Sequence, residues 1–315
     1  MRRAGPFRAP KVLTDVKLLE RAALAREDGP VVTHHRVFGV AMVQLLLVGY
    51  ISANAGSLQI EASTVVAVVG SRDFVVAATD SRTKNGEETQ KCRLRPLGEH
   101  AFFIGNGVTE IHGDTPADVL YSAEEEAKQQ YGSDRPLNNT VETWARITET
   151  KFDKLSPLRK TELHAAADEL DIPGRIVTQG IFARDDGANV EIWEAGVTFV
   201  PKEDEQFSFS HRPPHQLENN VAEIHLWGTR RTVLRIVELW NGKTLNSSKW
   251  RTHIDQQAQE KGYSEADARA FELKSDIEYL IRTGIDPTIG GEVATLILES
   301  NQPLRWFNRP SVCAQ

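Results

Sequence analysis

The sequence reads as an α+β chain folded into a four-layer αββα sandwich, two antiparallel sheets packed face to face between helical layers. Three observations predict this. Apolar segments rich in β-branched residues come in blocks and do not alternate with helices, which argues against a parallel βαβ sheet. Two pairs of helical segments separate those blocks, giving the order strands, two helices, strands, two helices, strands. Neighbouring strand segments are divided by short turn signals of the kind antiparallel pairs use.

The elements follow in order. Strands are expected at 64–70 and 73–79, two apolar runs around Ser71-Arg72, and at 92–96 and 100–105. Thr115-Pro116-Ala117-Asp118 opens a helix to about Gly132, with Thr115 as cap and Pro116 in the first helical position. A second helical region at 137–170 is interrupted near Ser156-Pro157. Strands 175–185 and 189–200 pair across Asp185-Asp186-Gly187, where Asp-Gly supplies the positive φ angles of a tight hairpin. A polar loop at 201–220 leads to a strand at 221–227. Helices at 230–241 and 264–283 and strands at 292–300 and 303–307 complete the order.

No Pro/Ser-rich linker or repeat divides the chain beyond residue 62, so 57–309 forms one domain, with 310–315 as a tail. Of the 315 residues, 40% are hydrophobic and 26% charged, enough apolar side chain for a sizeable core. The net charge of −7, with no basic face, argues against a nucleic-acid partner. Cys92 and Cys313 make neither a disulfide framework nor a zinc site, and leave a single disulfide open.

Residues 1–36 form a basic extension outside the fold, followed by the apolar run VFGVAMVQLLLVGYI at 37–51 and Ser52-Ala53-Asn54-Ala55-Gly56. That run is short for a membrane span, which needs roughly twenty residues. A basic flank, a short apolar run and an Ala-x-Ala end are the parts of a secretory signal peptide. Segment 37–56 therefore predicts export to the periplasm or medium with cleavage after Ala55, and a membrane contact only through this segment. The competing reading is a buried or anchoring helix in a cytoplasmic protein.

The stretch STVVAVVGSRDFVVAATDSRTKNGEETQKCRLRPLGEHAFFIGNG, 63–107, carries the chemistry. A hydroxyl residue opens the first strand, Asp80 ends the second, Lys91 follows a polar loop, and Gly105-Asn106-Gly107 closes the segment. This resembles the opening of proteasome β-type subunits and other N-terminal-nucleophile hydrolases. The resemblance implies a nucleophile exposed by processing whose own α-amine acts as base, since an α-amine titrates near working pH. It implies a lysine, Lys91, that favours the deprotonated nucleophile, held by an acid, Asp80. Counting back from Asp80 gives Thr64 as nucleophile; matching the local hydroxyl pattern gives Ser63. Both residues also read as plain strand-start hydroxyls. Backbone N–H groups at Asn106 and Gly107 match the family's oxyanion hole. Trp227-Gly228-Thr229 and Asp286-Pro287-Thr288-Ile289-Gly290-Gly291 match its later segments, with Thr229 and Asp286 as supporting residues and Ile289 where a serine is usual.

The implied substrate is a peptide or small amide, with no cofactor and no metal, and with a homo-oligomer allowed. A catalytically inactive subunit that binds or builds is the alternative, because Glu61-Ala62 before Ser63, or Ala62-Ser63 before Thr64, stands where the family carries a glycine before its nucleophile. His211 and His215, flanking Pro213-Pro214, have a spacing that invites a metal but lack a clustered third ligand. Glu124-Glu125-Glu126 reads as a solvated helix face.

Overall fold

The computed structural model describes residues 59–314 apart from 64, 86, 114, 116, 171–174, 202–206, 219–222, 242–244 and 285–288. The basic extension and the signal-like segment 37–56 lie outside the described residues. The strands run β1 (Gln59–Ser63), β2 (Val65–Gly70), β3 (Phe74–Asp80), β4 (Arg82–Asn85), β5 (Glu87–Gln90), β6 (Leu94–Gly98), β7 (Ala101–His112) and β8 (Val119–Ser122). Helices α1 (Ala123–Gln130), α2 (Leu137–Asp153) and α3 (Pro157–Glu169) follow. Next come β9 (Ile176–Asp185), β10 (Val190–Pro201), β11 (Phe207–His211), β12 (His215–Gln216) and β13 (Glu223–Gly228). Helices α4 (Arg230–Asn241), α5 (Leu245–Glu260) and α6 (Glu265–Thr283) lead to β14 (Val293–Glu299) and β15 (Arg305–Asn308).

The strands form two antiparallel sheets and a separate β4–β5 hairpin. The larger sheet follows β1-β7-β9-β10-β11, with β6 and β8 on β7 and β12 on β10; the smaller follows β13-β2-β3-β14-β15. Alternation of side chains along β2 explains why its sequence is apolar throughout. Val65, Ala67 and Val69 face a core shared with α4 and α6, whereas Val66 and Val68 face a core between the sheets. The third core joins the larger sheet to α1, α2 and α3 through Phe103, Trp144, Phe152 and Phe182. Each sheet therefore packs helices on one face and the other sheet on the opposite face, which is why the three inner strands of the smaller sheet, β2, β3 and β14, are buried on two sides.

Several sequence expectations are met closely. Ser156 caps α3 at Pro157, its hydroxyl accepting from Arg159 N. The β9–β10 hairpin turns at Gly187 with φ of 85°. Others are corrected. Thr115 does not start a helix: Val119–Ser122 pairs with the edge of β7, and Ser122 caps α1 instead. The loop after Asp80 contains the β4–β5 hairpin, and the loop 201–220 contains β11 and β12. Strand β1 and helix α5 were not expected. Glu124 and Glu126 are buried, because Arg95 and Lys151 reach them from β6 and α2; of the acidic triplet Glu125 is exposed. Among the described residues no helix is long and apolar enough to cross a membrane.

Candidate active site

The chain runs from the larger sheet to the smaller between Ser63 and Val65. Ser63 is the register partner of Gly107 in β7, and Val65 is the partner of Gly228 at the end of β13. Two segments that the sequence assigned to one site, Gly105-Asn106-Gly107 and Trp227-Gly228-Thr229, thus pair in opposite sheets with Ser63 and with Val65. Thr64 lies outside the described residues, and for Ser63 only the backbone is described. Asp286 also lies outside them. The start of β2 is fixed by Thr79, whose Oγ1 donates to the Val65 carbonyl at 2.7 Å.

Asp80 ends β3 with 0% exposure, and its Oδ2 accepts the backbone N–H of Gly290 at 3.0 Å. The next residue, Ser81, accepts the backbone N–H of Glu292 on Oγ at 2.9 Å, while its carbonyl accepts Lys91 N at 2.7 Å. Arg82 N donates to the Gly290 carbonyl at 3.1 Å. Of the two glycines, Gly291 is the one this docking requires, because Gly290 is crowded only by the far end of the flexible Arg82 side chain. A Cβ on Gly290 would lie 2.8 Å from the Arg82 guanidinium, and one on Gly291 would collide with Ser81 Oγ. Gly291 in addition adopts φ of 73°, a left-handed conformation that side chains disfavour.

Lys91 follows the β4–β5 hairpin and carries Glu110 of β7 as its ion-pair partner. The two side chains are 23% and 13% exposed, so the pair is largely buried. His112 Nε2 lies 3.2 Å from the same Glu110 oxygen. The sequence did not single out Glu110 as a partner for Lys91. The available signal was faint: Glu110 and His112 share one face of a strand by their spacing of two. Arg93, two residues on, is fully buried and donates to Thr109, so it serves the interior of the larger sheet.

Asn106 is fully buried, with Nδ2 donating to Gln179 Oε1 at 3.3 Å and Oδ1 without a partner among the described residues. Gln179 Nε2 in turn donates to Glu194 Oε2 at 2.8 Å, and Trp227 Nε1 reaches the same oxygen from the other sheet at 2.9 Å. Burial pushes the Glu194 carboxyl above its usual range, and the Trp227 hydrogen bond pulls it back. The chain Asn106–Gln179–Glu194–Trp227 therefore bridges the two sheets beside the Ser63–Val65 junction. Gly107, at φ of 77°, has Thr178 opposite it on one side and Ser63 on the other.

Thr229 stands at the strand end expected for it. Its hydroxyl accepts Thr232 N at 3.2 Å and so caps α4. His211, by contrast, is far from this chemistry: its ring nitrogens are engaged by Glu149 and by Glu142, which ties β11 to α2. Among the described residues no group of three His, Cys, Asp or Glu side chains could hold a metal ion. Cys92 and Cys313 form a disulfide across 221 residues of sequence, with a Cα–Cα distance of 4.9 Å. Comparison of the chain with known protein families and with curated proteins finds no match.

Proposed function

We propose that this chain is an exported hydrolase of peptide or small amide bonds, of the N-terminal-nucleophile type, whose nucleophile is the hydroxyl of Thr64 or Ser63 after processing. The observation that carries this reading is the convergence on the Ser63–Val65 junction of parts distant in sequence. Gly107 lies opposite Ser63, Gly228 lies opposite Val65, and Lys91 and Asp80 are both held by the Ser81 turn and its Gly290-Gly291 partner. In the proposed reaction the freed α-amine takes the hydroxyl proton, the oxygen attacks the amide carbonyl, and the leaving amine receives that proton. Water then cleaves the resulting ester. The half-buried Lys91 favours the deprotonated nucleophile, and Glu110 lowers the cost of keeping its charge there. The Cys92–Cys313 disulfide supports export, since such bonds persist in oxidising compartments.

One observation favours a second reading, a relative that keeps the fold without catalysis. Residues 59–63 are built into the larger sheet as β1, paired along β7, so processing at Ser63 or Thr64 would remove strand pairing that the sheet uses. The experiment is hydrolysis of a panel of fluorogenic aminoacyl and peptidyl amides by the purified protein. Lys91→Ala should lower the rate about a hundredfold or more with an unchanged circular dichroism spectrum. Equal rates for wild type and Lys91→Ala would support the inactive reading.

A further inference from the structure

The segment after β15 closes a ring of contacts around the Asp80-Ser81 turn. Ser81 O accepts Lys91 N at 2.7 Å, and Lys91 is bonded to Cys92, which is linked to Cys313 by the disulfide. Cys313 and Ser311 share a short 3-10 turn. The N–H and hydroxyl of Ser311 donate to Glu292 Oε2 at 3.3 and 3.2 Å. Glu292 N returns to Ser81 Oγ at 2.9 Å, completing the ring. The segment is seated rather than draped: Val312 packs on the inter-sheet core, Arg309 Nε donates to Cys313 O at 2.9 Å, and both cysteines are buried.

We propose that residues 309–313 are a disulfide-locked strap that holds the Asp80-Ser81 turn in register with Lys91. Cys92, Cys313 and Ser311 are positioning residues; they act on the site only through Lys91 and Glu292. Two anchors of different strength make the strap. The covalent one is buried in the core between the sheets, whereas the Ser311–Glu292 contact is exposed and is worth little without it. Opening the disulfide takes two electrons and two protons, supplied by a dithiol that closes to its own cyclic disulfide, and leaves two thiols. With that link gone, Lys91 and the Gly290-Gly291 turn lose their shared support although neither sheet loses a strand pair.

The catalytic part of this inference rests on the hydrolase reading; the mechanical part does not, and the experiment separates them. Amide hydrogen exchange is followed in the full chain as oxidised wild type, as wild type reduced with dithiothreitol, and as Cys313→Ala. A Ser311→Ala/Glu292→Gln variant, which leaves the disulfide intact, covers the case in which Cys313→Ala does not fold. Exchange at 80–82, 90–94 and 289–293 should rise about tenfold on reduction, with the β9–β10 hairpin unchanged. Reoxidation by oxidised glutathione should restore protection in wild type and not in Cys313→Ala. In the double variant the same three segments should show a smaller rise. Where hydrolysis is measurable, reduction should lower kcat about tenfold with KM nearly unchanged, and shift the pH profile of kcat. Unchanged exchange in those three segments, or equal acceleration of the hairpin, would overturn the strap. Absence of processing and hydrolysis in oxidised wild type would count against the hydrolase reading alone, and the exchange result would still decide the strap.

Discussion

Asp80 and Gly290, 210 residues apart in sequence, meet at 3.0 Å, the backbone N–H of the glycine donating to a fully buried carboxylate oxygen. A buried carboxylate needs such donors to offset the loss of water. The glycine pair supplies one because it lets the backbone at 289–292 approach the 80–82 turn without a Cβ between them.

Gly291→Ala should therefore cost about 2 kcal/mol or more, from the left-handed backbone and the clash with Ser81. Urea denaturation of the variant against wild type measures this. Stability within a few tenths of a kcal/mol of wild type would show that the 80–82 turn does not depend on the close approach.

His211 predicts a pH effect at neutral to alkaline pH. Hydrogen bonding to Glu149, with Glu142 beside it, holds the imidazole above its ordinary pKa of 6.5. The folded state binds the proton more tightly, so the clasp between α2 and β11 stabilises fully below that value and is lost as pH rises through the folded pKa. Denaturant midpoints between pH 5.5 and 8.5 should fall in wild type and flatten in His211→Asn; an identical fall in both would assign the effect elsewhere.

Asp276 of α6 predicts an effect in a lower window. It is buried, accepts Trp240 Nε1 at 2.6 Å and Trp250 Nε1 at 2.8 Å, and its carboxyl is pushed from 3.8 up to about 6, chiefly by burial. Between those values the folded state keeps a proton that the unfolded chain has released, so stability falls as pH rises from 3.8 to about 6 and is level above it. Asp276→Asn should remove that slope. Asp276→Ala leaves both indole N–H groups and Arg251 without this acceptor, at a cost of about 3 kcal/mol. Tryptophan emission should shift in Asp276→Ala, since two indoles change environment; unchanged emission and a persistent slope in Asp276→Asn would contradict the assignment.

Much of the frame was legible because it is local. Asp-Gly marks the β9–β10 turn, Ser156-Pro157 marks a helix start, and the apolar runs of β2 and β3 mark strands buried on both faces. What escaped is set by tertiary contact. The sequence Gln59–Ser63 is a strand because β7 offers an edge, and Val119–Ser122 pairs with β7 despite a helix-start signal before it. Helix α5 has a polar sequence, and Trp250 anchors it to Asp276 across the helical layer. At the site, Asp80, Gly107 and Gly228 could be placed by pattern, whereas Glu110 and the Cys92–Cys313 link depend on pairings that no short window contains.

The central claim is that processing exposes a hydroxyl residue at the point where β1 gives way to β2. N-terminal sequencing, with intact mass, of the protein recovered from its native host tests this most directly. The account predicts a mature chain beginning at Thr64 or Ser63 in wild type, and a chain that begins at Gly56 and retains the residues up to the nucleophile in Lys91→Ala, where the nucleophile is less activated. A wild-type chain that begins at or before Gly56 and stays so after prolonged incubation would contradict it, leaving the fold without its proposed nucleophile.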